Sequence, residues 1–355
     1  MLSSIGGTAS KMKFLHITDG DKKFIPPFID FIKRNFDERR HEFIVYSRFK
    51  KRKLSGIRFL RLNNLRSLFE VRKKIRDVDG VILHGLLDFH LVANLMLMPR
   101  KAKFHWLIWG GDLYCYQHRK KSLKNYVRYL IRKLLIKRIG NVGSYFYGEV
   151  ALAKDVFGFR GKWEKCLLYT SNASDAYFPK KRLASNSTCT RFLVGNSGYE
   201  ANNHLLVFQK LHSQKEFRDF KVICPLAYGN SIYIKEVIAR GNDLFGDKFE
   251  ARQSFLPHQD YLNFLQEIDI AILDSSRQMG FGNIVPLLCF GKTLYLRHDI
   301  EPAQTLLKIG FRIGDAKSPL ITKLAPAEVQ QNITLSAREF STNNLISHYK
   351  SFGFV

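Results

Sequence analysis

Arg277-Gln278-Met279-Gly280-Phe281-Gly282-Asn283 stands between two apolar runs, Ile268 to Leu273 and Ile284 to Phe290. The first run reads as a buried strand and the second as a helix. A strand, a glycine-bearing loop and a helix start together make an anion-binding corner. Backbone N–H groups point outward there, and the helix dipole favours negative charge. Arg277 adds a planar fork of donors suited to a diphosphate. Glycines in such a turn also serve simply to relieve backbone strain, so the corner has to be weighed with its company.

Four other polar clusters follow apolar runs. His84-Gly85 comes after Gly80–Leu83, and Trp109-Gly110-Gly111-Asp112-Leu113-Tyr114 after Phe104–Ile108. Gly195-Asn196-Ser197-Gly198 comes after Phe192–Val194, and the fourth cluster, Pro225 to Asn230, contains Tyr228. In parallel α/β sheets ligands bind at the carboxyl ends of strands, where these clusters fall. Gly195 and Gly198 also fit plain turns, and His84 fits a hydrogen-bonded core histidine. Asp77-Val78-Asp79 is a D-x-D pattern, two carboxylates at a spacing that can hold a divalent metal beside a diphosphate. It precedes a buried strand, so it is expected at that strand's amino end, away from any such site.

The elements that must position these residues alternate. Phe14–Ile17 reads as a strand, Phe24–Asn35 as a helix, Phe43–Tyr46 as a strand and Leu65–Arg76 as a helix. Gly80–His84 is a strand, Phe89–Met98 a helix and Lys103–Trp109 a strand. After a polar stretch the pattern resumes: Arg191–Val194 strand, Asn202–Leu211 helix, Lys221–Pro225 strand, Ser231–Arg240 helix, Phe249–Ala251 strand and Gln259–Leu265 helix. This β/α alternation predicts two Rossmann-like α/β domains with parallel sheets, facing a central cleft. The expected division is residues 12–168, a linker at 169–190 rich in Ser, Asn, Thr and Lys, a second domain at 191–330 and a helical tail at 331–355.

A chain of 355 residues with 45% hydrophobic residues is long enough for two cores. No apolar run reaches the roughly 18–20 residues needed to span a bilayer. Met1 to Ser10 lacks the basic start and apolar core of a secretory signal and reads as a leader. The cysteines, Cys115, Cys166, Cys189, Cys224 and Cys289, are odd in number and show no C-x-x-C spacing. Neither zinc nor a disulfide framework is expected, and a reducing compartment is.

The net charge of +26 is unevenly distributed. Residues 1–170 hold 36 Lys and Arg against 14 Asp and Glu, leaving +22, and residues 171–355 carry only +4. The first half is therefore expected to face a polyanion, either anionic lipid or nucleic acid. From Arg119 to Gly140, Leu123, Val127, Leu130, Ile131, Leu134 and Leu135 recur at helical spacing beside a basic row of Lys124, Arg128 and Arg132. An amphipathic basic helix of this kind can lie on an anionic membrane, and equally it can be a core helix with a solvated basic face. Lys50-Lys51-Arg52-Lys53, Arg72-Lys73-Lys74 and Arg100-Lys101-Ala102-Lys103 lie in the same half. No RNA-recognition signature or zinc finger favours nucleic acid. The expected membrane-facing residues are Lys124, Arg128 and Arg132.

Several blocks resemble one bacterial family. Trp106-Leu107-Ile108-Trp109-Gly110-Gly111-Asp112-Leu113-Tyr114 is similar to the W-x-I-W-G-A-D-L-Y block of the TDP-N-acetylfucosamine:lipid II N-acetylfucosaminyltransferases. Leu193-Val194-Gly195-Asn196-Ser197-Gly198, followed by Asn203-His204, resembles their L-V-G-N-S-G…N-E-H block. Tyr233-Ile234-Lys235-Glu236-Val237, Asp243-Leu244-Phe245 and Arg277-Gln278-Met279-Gly280-Phe281-Gly282 follow in order. The collinearity runs from about residue 14 to about residue 300. Departures include Leu86-Leu87-Asp88 where the family has a polar Q-F-N, and Tyr199-Glu200-Ala201 in place of D-R-S.

The resemblance implies a two-domain GT-B glycosyltransferase without a metal or other cofactor. It implies transfer of 4-acetamido-4,6-dideoxygalactose from a dTDP donor to an undecaprenyl-diphosphate-linked disaccharide, on the cytoplasmic face of the bacterial inner membrane. The reaction needs charge stabilisation of the leaving diphosphate and orientation of the sugar, with a base on the acceptor hydroxyl where one is used. Donor binding is expected at Gly195, Asn196, Ser197, Gly198, Tyr228, Arg277, Gln278, Gly280, Gly282 and Asn283. Asp112 and His84 are the expected catalytic residues on the acceptor side, with Asp21 a weaker third. The alternatives are a GT-B enzyme for another nucleotide sugar or surface-polysaccharide acceptor, and a non-catalytic basic protein that binds polyanions.

Overall fold

The computed structural model describes residues 12–49, 52–99, 101–115, 122–176, 189–214, 217 and 219–354. The expected leader, most of the expected linker, and Lys50, Lys51, Arg100 and Arg119 to Lys121 of the basic clusters lie outside the described residues. The chain forms two compact units, one of residues up to Thr170 together with Asn343 onward, the other Ser171–Thr342. The expected separate tail, 331–355, is divided between them.

In the first unit the elements are β1 (Phe14–Thr18), α1 (Ile25–Asn35), β2 (His41–Ser47), β3 (Arg58–Arg61), α2 (Leu65–Arg76), β4 (Gly80–His84), α3 (Phe89–Met96), β5 (Phe104–Leu107), α4 (Gly111–Tyr114), α5 (Leu123–Ile136), β6 (Asn141–Ser144), α6 (Tyr147–Phe157) and β7 (Lys162–Lys165). The strands form a seven-stranded sheet in the order β3-β2-β1-β4-β5-β6-β7, and every recorded pairing in it is parallel. β1 and β4 are buried throughout, as befits central strands covered on both faces, and this is why they read as continuous apolar runs.

The two faces of this sheet differ. Leu15, Ile17, Ile44, Val81, Leu83, Phe104 and Trp106 form an aliphatic core with Val71 of α2, Leu91 of α3, Leu135 of α5 and Val150 of α6. Period-two alternation sends Phe14, His16, His41, Phe43, His84 and His105 to the other face. Phe28 of α1 covers that face, lying 5.1 Å from the His84 ring.

The second unit contains β8 (Thr190–Val194), α7 (His204–Ser213), β9 (Phe220–Pro225), α8 (Ser231–Phe245), β10 (Phe249–Arg252), α9 (His258–Gln266), β11 (Ile270–Leu273), α10 (Phe281–Cys289), β12 (Thr293–Leu296), α11 (Glu301–Ile309), β13 (Gly314–Asp315) and α12 (Pro326–Glu339). Its sheet order is β10-β9-β8-β11-β12-β13, again with parallel pairings. α12 belongs here because buried Asn332 bonds both backbone groups of Arg312, each at 2.7 Å. α13 (Thr342–Ser351) then belongs, from Asn343, to the first unit. The Tyr349 hydroxyl donates to the Leu168 carbonyl at 2.5 Å, and Phe354 packs 4.6 Å from Phe14 on the histidine-bearing face.

In both sheets the chain moves outward in one direction and then in the other. The reversals fall between β1 and β4 and between β8 and β11, and the crevice at such a point is where α/β sheets take ligands.

Candidate active site

In the second unit three loops meet at the reversal. Gly195, the first residue past β8, has φ +69, and a Cβ there would come within 2.4 Å of His204 Nε2. Wholly buried Asn202 ties the following loop from inside. Its Oδ1 accepts the Asn196 N–H at 3.1 Å, and its Nδ2 donates to the Ser197 carbonyl at 2.9 Å and to Ser197 Oγ at 3.1 Å. The loop after β9 is laced alongside: Gly198 N–H donates to the Tyr228 carbonyl at 2.8 Å, and Asn230 N–H to the Gly198 carbonyl at 2.9 Å. Gly229 permits that approach, since a Cβ on it would lie 2.2 Å from the Gly198 oxygen.

The third loop comes from β11. Ser276 N–H donates to the Ala201 carbonyl at 3.1 Å. Gly280, at φ +71, sets the start of α10 against Asn196, with its Cβ direction 3.3 Å from Asn196 Cγ. α10 has no side-chain cap. Gly282 in its first turn is exposed, with no atom within 4 Å of where a Cβ would stand. An uncapped helix start beside two glycine loops presents N–H donors and a positive dipole end to an anion.

The expected donor residues Gly195 to Gly198, Tyr228 and Gly280 to Asn283 are thus brought together. Half-buried Arg277 and Gln278 lie on the loop that enters α10. Asn283 is buried and its side chain is hydrogen-bonded to Tyr261, so it braces the helix start. Tyr228 is half exposed, its ring near those of Tyr199 and Phe255 at 6.3 and 6.4 Å. These three rings make an aromatic surface suited to a nucleobase. Asn202, Tyr199, Phe255 and Tyr261 escaped sequence reasoning. Asn202 stands directly before the Asn203-His204 pair, and that adjacency was its only signal.

The first unit corrects the expected catalytic pair. Asp112 is wholly buried, and its carboxylate accepts four N–H groups. They come from Leu86 (2.9 Å), Trp106 Nε1 (2.8 Å), Trp109 (3.0 Å) and Leu113 (3.0 Å). Burial pushes its pKa up, against the pull of these donors and of Arg132. An acceptor hydroxyl cannot reach a carboxylate so enclosed. Its work is to clamp the turn after β5 to the loop after β4.

His84 is likewise interior. Its Nδ1 lies 2.8 Å from the Tyr169 hydroxyl and its Nε2 3.0 Å from His16 Nδ1, while His16 Nε2 lies 3.0 Å from His41 Nδ1. Trp109 Nε1 donates to the same Tyr169 oxygen at 2.8 Å. The tyrosine hydroxyl then has its proton for His84 Nδ1, which puts the ring protons of His84 and His16 on Nε2, each donated to the next histidine. Burial pushes His84 down to about 3 and His41 to about 4, and His16 well below the ordinary value. These are neutral structural imidazoles. Arg132, expected to face a membrane, is buried too, its guanidinium donating to the carbonyls of Leu86 and Asp112.

What does line the β1–β4 reversal is a pair of carboxylates after β1. Gly20, at φ +83, passes so close to the chain at Arg52 that a Cβ would be 2.1 Å from its carbonyl oxygen. The Arg52 guanidinium lies 3.9 Å from Asp19 and 3.6 Å from Asp21. Asp21 holds the turn that leads into α1, accepting the Lys23 N–H at 2.8 Å and the Phe24 N–H at 3.3 Å. Asp19 is partly exposed, and burial raises its pKa while Arg52 opposes the rise. Across from it, Gly85 lies under the Trp109 indole, whose ring meets Phe24 at 5.4 Å. On the opposite loop Asp88 pairs with Arg48 at 2.8 Å. Sequence reasoning singled out Asp21 and missed Asp19 two residues earlier. Asp77 and Asp79 lie at the amino end of β4, where Asp79 accepts the Lys13 N–H at 2.8 Å, far along the strand from this crevice.

Comparison with known proteins agrees with this architecture. A family model described as 4-alpha-L-fucosyltransferase, glycosyl transferase group 56, matches residues 24–305. Among solved structures, a glycosyltransferase from Rickettsia africae ESF-5 is similar at TM-score 0.67 and 14% identity, over 97% of this chain and 98% of that one. HepE of Anabaena in complex with UDP is similar at TM-score 0.63 and 11% identity, over 96% and 99%. A UDP-forming α,α-trehalose-phosphate synthase from Burkholderia xenovorans is similar at TM-score 0.64 and 8% identity, over 96% and 98%. At these identities the structural likenesses speak for the fold, which is GT-B.

Proposed function

The chain belongs to the group 56 glycosyltransferase family, and from that premise we propose that it transfers 4-acetamido-4,6-dideoxy-D-galactose from a dTDP donor. The proposed acceptor is an undecaprenyl-diphosphate-linked disaccharide at the cytoplasmic face of the inner membrane. Membership makes the chain a glycosyltransferase, and the reading as a non-catalytic polyanion-binding protein falls away. The proposed donor sugar is a 6-deoxygalactose, as is the fucosyl residue in the family's description, but of the D rather than the L series. The observation that carries the reading is local. Two of the blocks that resemble the N-acetylfucosaminyltransferases, Gly195–Gly198 and Arg277–Gly282, are the loops that meet at the β8–β11 reversal.

In this reading the N–H groups at the start of α10, with Arg277, hold the diphosphate and take up the charge that develops as it leaves. Tyr228, with Tyr199 and Phe255, takes the thymine. Asp19, partly exposed at the β1–β4 reversal, removes the proton of the acceptor hydroxyl, and burial raises its pKa. Calorimetric titration of the whole protein with dTDP, UDP and GDP tests the donor half. dTDP should bind most tightly and without change in EDTA. Arg277→Ala should weaken it by roughly 10–150-fold, the worth of a hydrogen bond to a charged partner. Preference for another nucleotide, or a strict need for a divalent metal, would contradict the reading.

A further inference from the structure

On the aliphatic face of the first sheet the covering helices turn an apolar side outward. Leu123, Tyr126, Val127, Leu130 and Leu134 of α5 recur at helical spacing and all are exposed, Leu123 by 79% and Leu134 by 53%. What α5 gives to the core is Leu135 and Ile136, with Tyr129 and Ile131 packed against it. The helix therefore has two apolar edges, and the core covers one. α2 and α3 pack on the same sheet face and add exposed Leu65, Phe69 and Leu97, joined where Arg72 donates to the Leu97 carbonyl at 3.2 Å.

The border of this face is cationic. Lys124 and Lys137 are exposed, Arg128 and Lys133 half-buried. α5 contains no Asp or Glu, and it lies in the half of the chain that carries +22. Among the described residues no helix is long and apolar enough to cross a membrane. An apolar stripe with a basic margin and no acid is the pattern of a helix that lies in a bilayer interface.

We propose that this face rests on an anionic phospholipid bilayer, with α5 in the headgroup plane and its five exposed apolar side chains inserted. Buried Arg132 gives the docking a purpose. By holding the carbonyls of Leu86 and Asp112 it bolts α5 to the loop after β4, next to the β1–β4 reversal, and to the turn after β5 that follows Trp109. A substrate anchored in the same bilayer would then meet that crevice at a fixed height. This purpose rests on the lipid-linked acceptor of the proposed function, whereas the surface itself stands on exposure and charge.

The test floats the full-length protein with vesicles of phosphatidylcholine alone and of phosphatidylcholine with phosphatidylglycerol. The free protein is sedimented in parallel and titrated with dTDP. Wild type should be monomeric and should bind the phosphatidylglycerol vesicles. The triple variant Leu123→Ser, Val127→Ser, Leu134→Ser keeps every charge, alters exposed positions only, and should bind them about ten-fold or more weakly. Lys124→Gln, Lys133→Gln, Lys137→Gln should lose the preference for anionic vesicles. Three results overturn the proposal: no vesicle binding by wild type, equal binding by the serine variant, or a dimer in solution that the serine variant dissolves. If the vesicle pattern holds and dTDP fails to bind, the donor reading falls while the surface stands.

Discussion

Asp112 and Asp19 both follow a strand's carboxyl end, yet the first is enclosed and the second partly exposed. Four N–H groups converge on Asp112 with no solvent in reach. An asparagine there would present an NH₂ to donors that need an acceptor, leaving a buried pair unsatisfied at about 1–3 kcal/mol. Asp112→Asn should therefore lower the melting temperature, with donor affinity kept. Asp19→Asn should leave stability nearly unchanged and lower kcat on the order of 10²-fold or more with the donor KM kept. Thermal melts and steady-state kinetics on the two variants read both effects. A stable, inactive Asp112→Asn beside an active Asp19→Asn would reverse the assignment. The sequence told strand ends from strand starts, which is why Asp77-Val78-Asp79 was correctly set apart. Burial depth is a tertiary property, so it could not tell an enclosed carboxylate from an open one, and Asp19 was passed over.

Elements with strong periodicity were legible to the residue. Leu65–Arg76 and Gly80–His84 form as read. β3, β6, β7, β12 and β13, of two to four residues each, were missed. Helix α5 was legible as amphipathic, but its facing was not, since two apolar edges compete for one core and the chain alone does not rank them. The histidine-bearing face of the first sheet was also unforeseen, and it makes a pH prediction. His41 and His105 are each pushed down to about 4 and His84 to about 3, by burial first. Their folded pKa values lie below the unfolded value of about 6.5. The stability of the neutral form is thus fully present above pH 6.5 and lost as pH falls toward 4, at about 1.4 kcal/mol per pH unit for each histidine. The melting temperature should be flat from pH 8 to 7 and drop steeply from 6.5 to 5, above the range where most carboxylates titrate. His84→Asn should flatten that drop. A wild-type melting temperature constant across pH 6.5 to 5 would contradict the neutral, buried assignment.

At the scale of the molecule, two α/β units and a basic first half were both apparent from alternation and charge. The chain's return to the first unit after Thr342 was not, because a terminal amphipathic helix does not state which core it joins. The weakly charged second unit carries the crevice at the β8–β11 reversal, and the first carries most of the charge, the apolar outer face and Asp19. That division fits a soluble donor and a membrane-held acceptor. The most direct test of the whole is a transfer assay with purified protein, lipid-linked disaccharide acceptor in vesicles, and a panel of nucleotide sugars. The account predicts that dTDP-4-acetamido-4,6-dideoxygalactose alone extends the acceptor by one sugar, detected by mass spectrometry of the lipid. Extension from a different nucleotide sugar, with none from the dTDP donor, would contradict it.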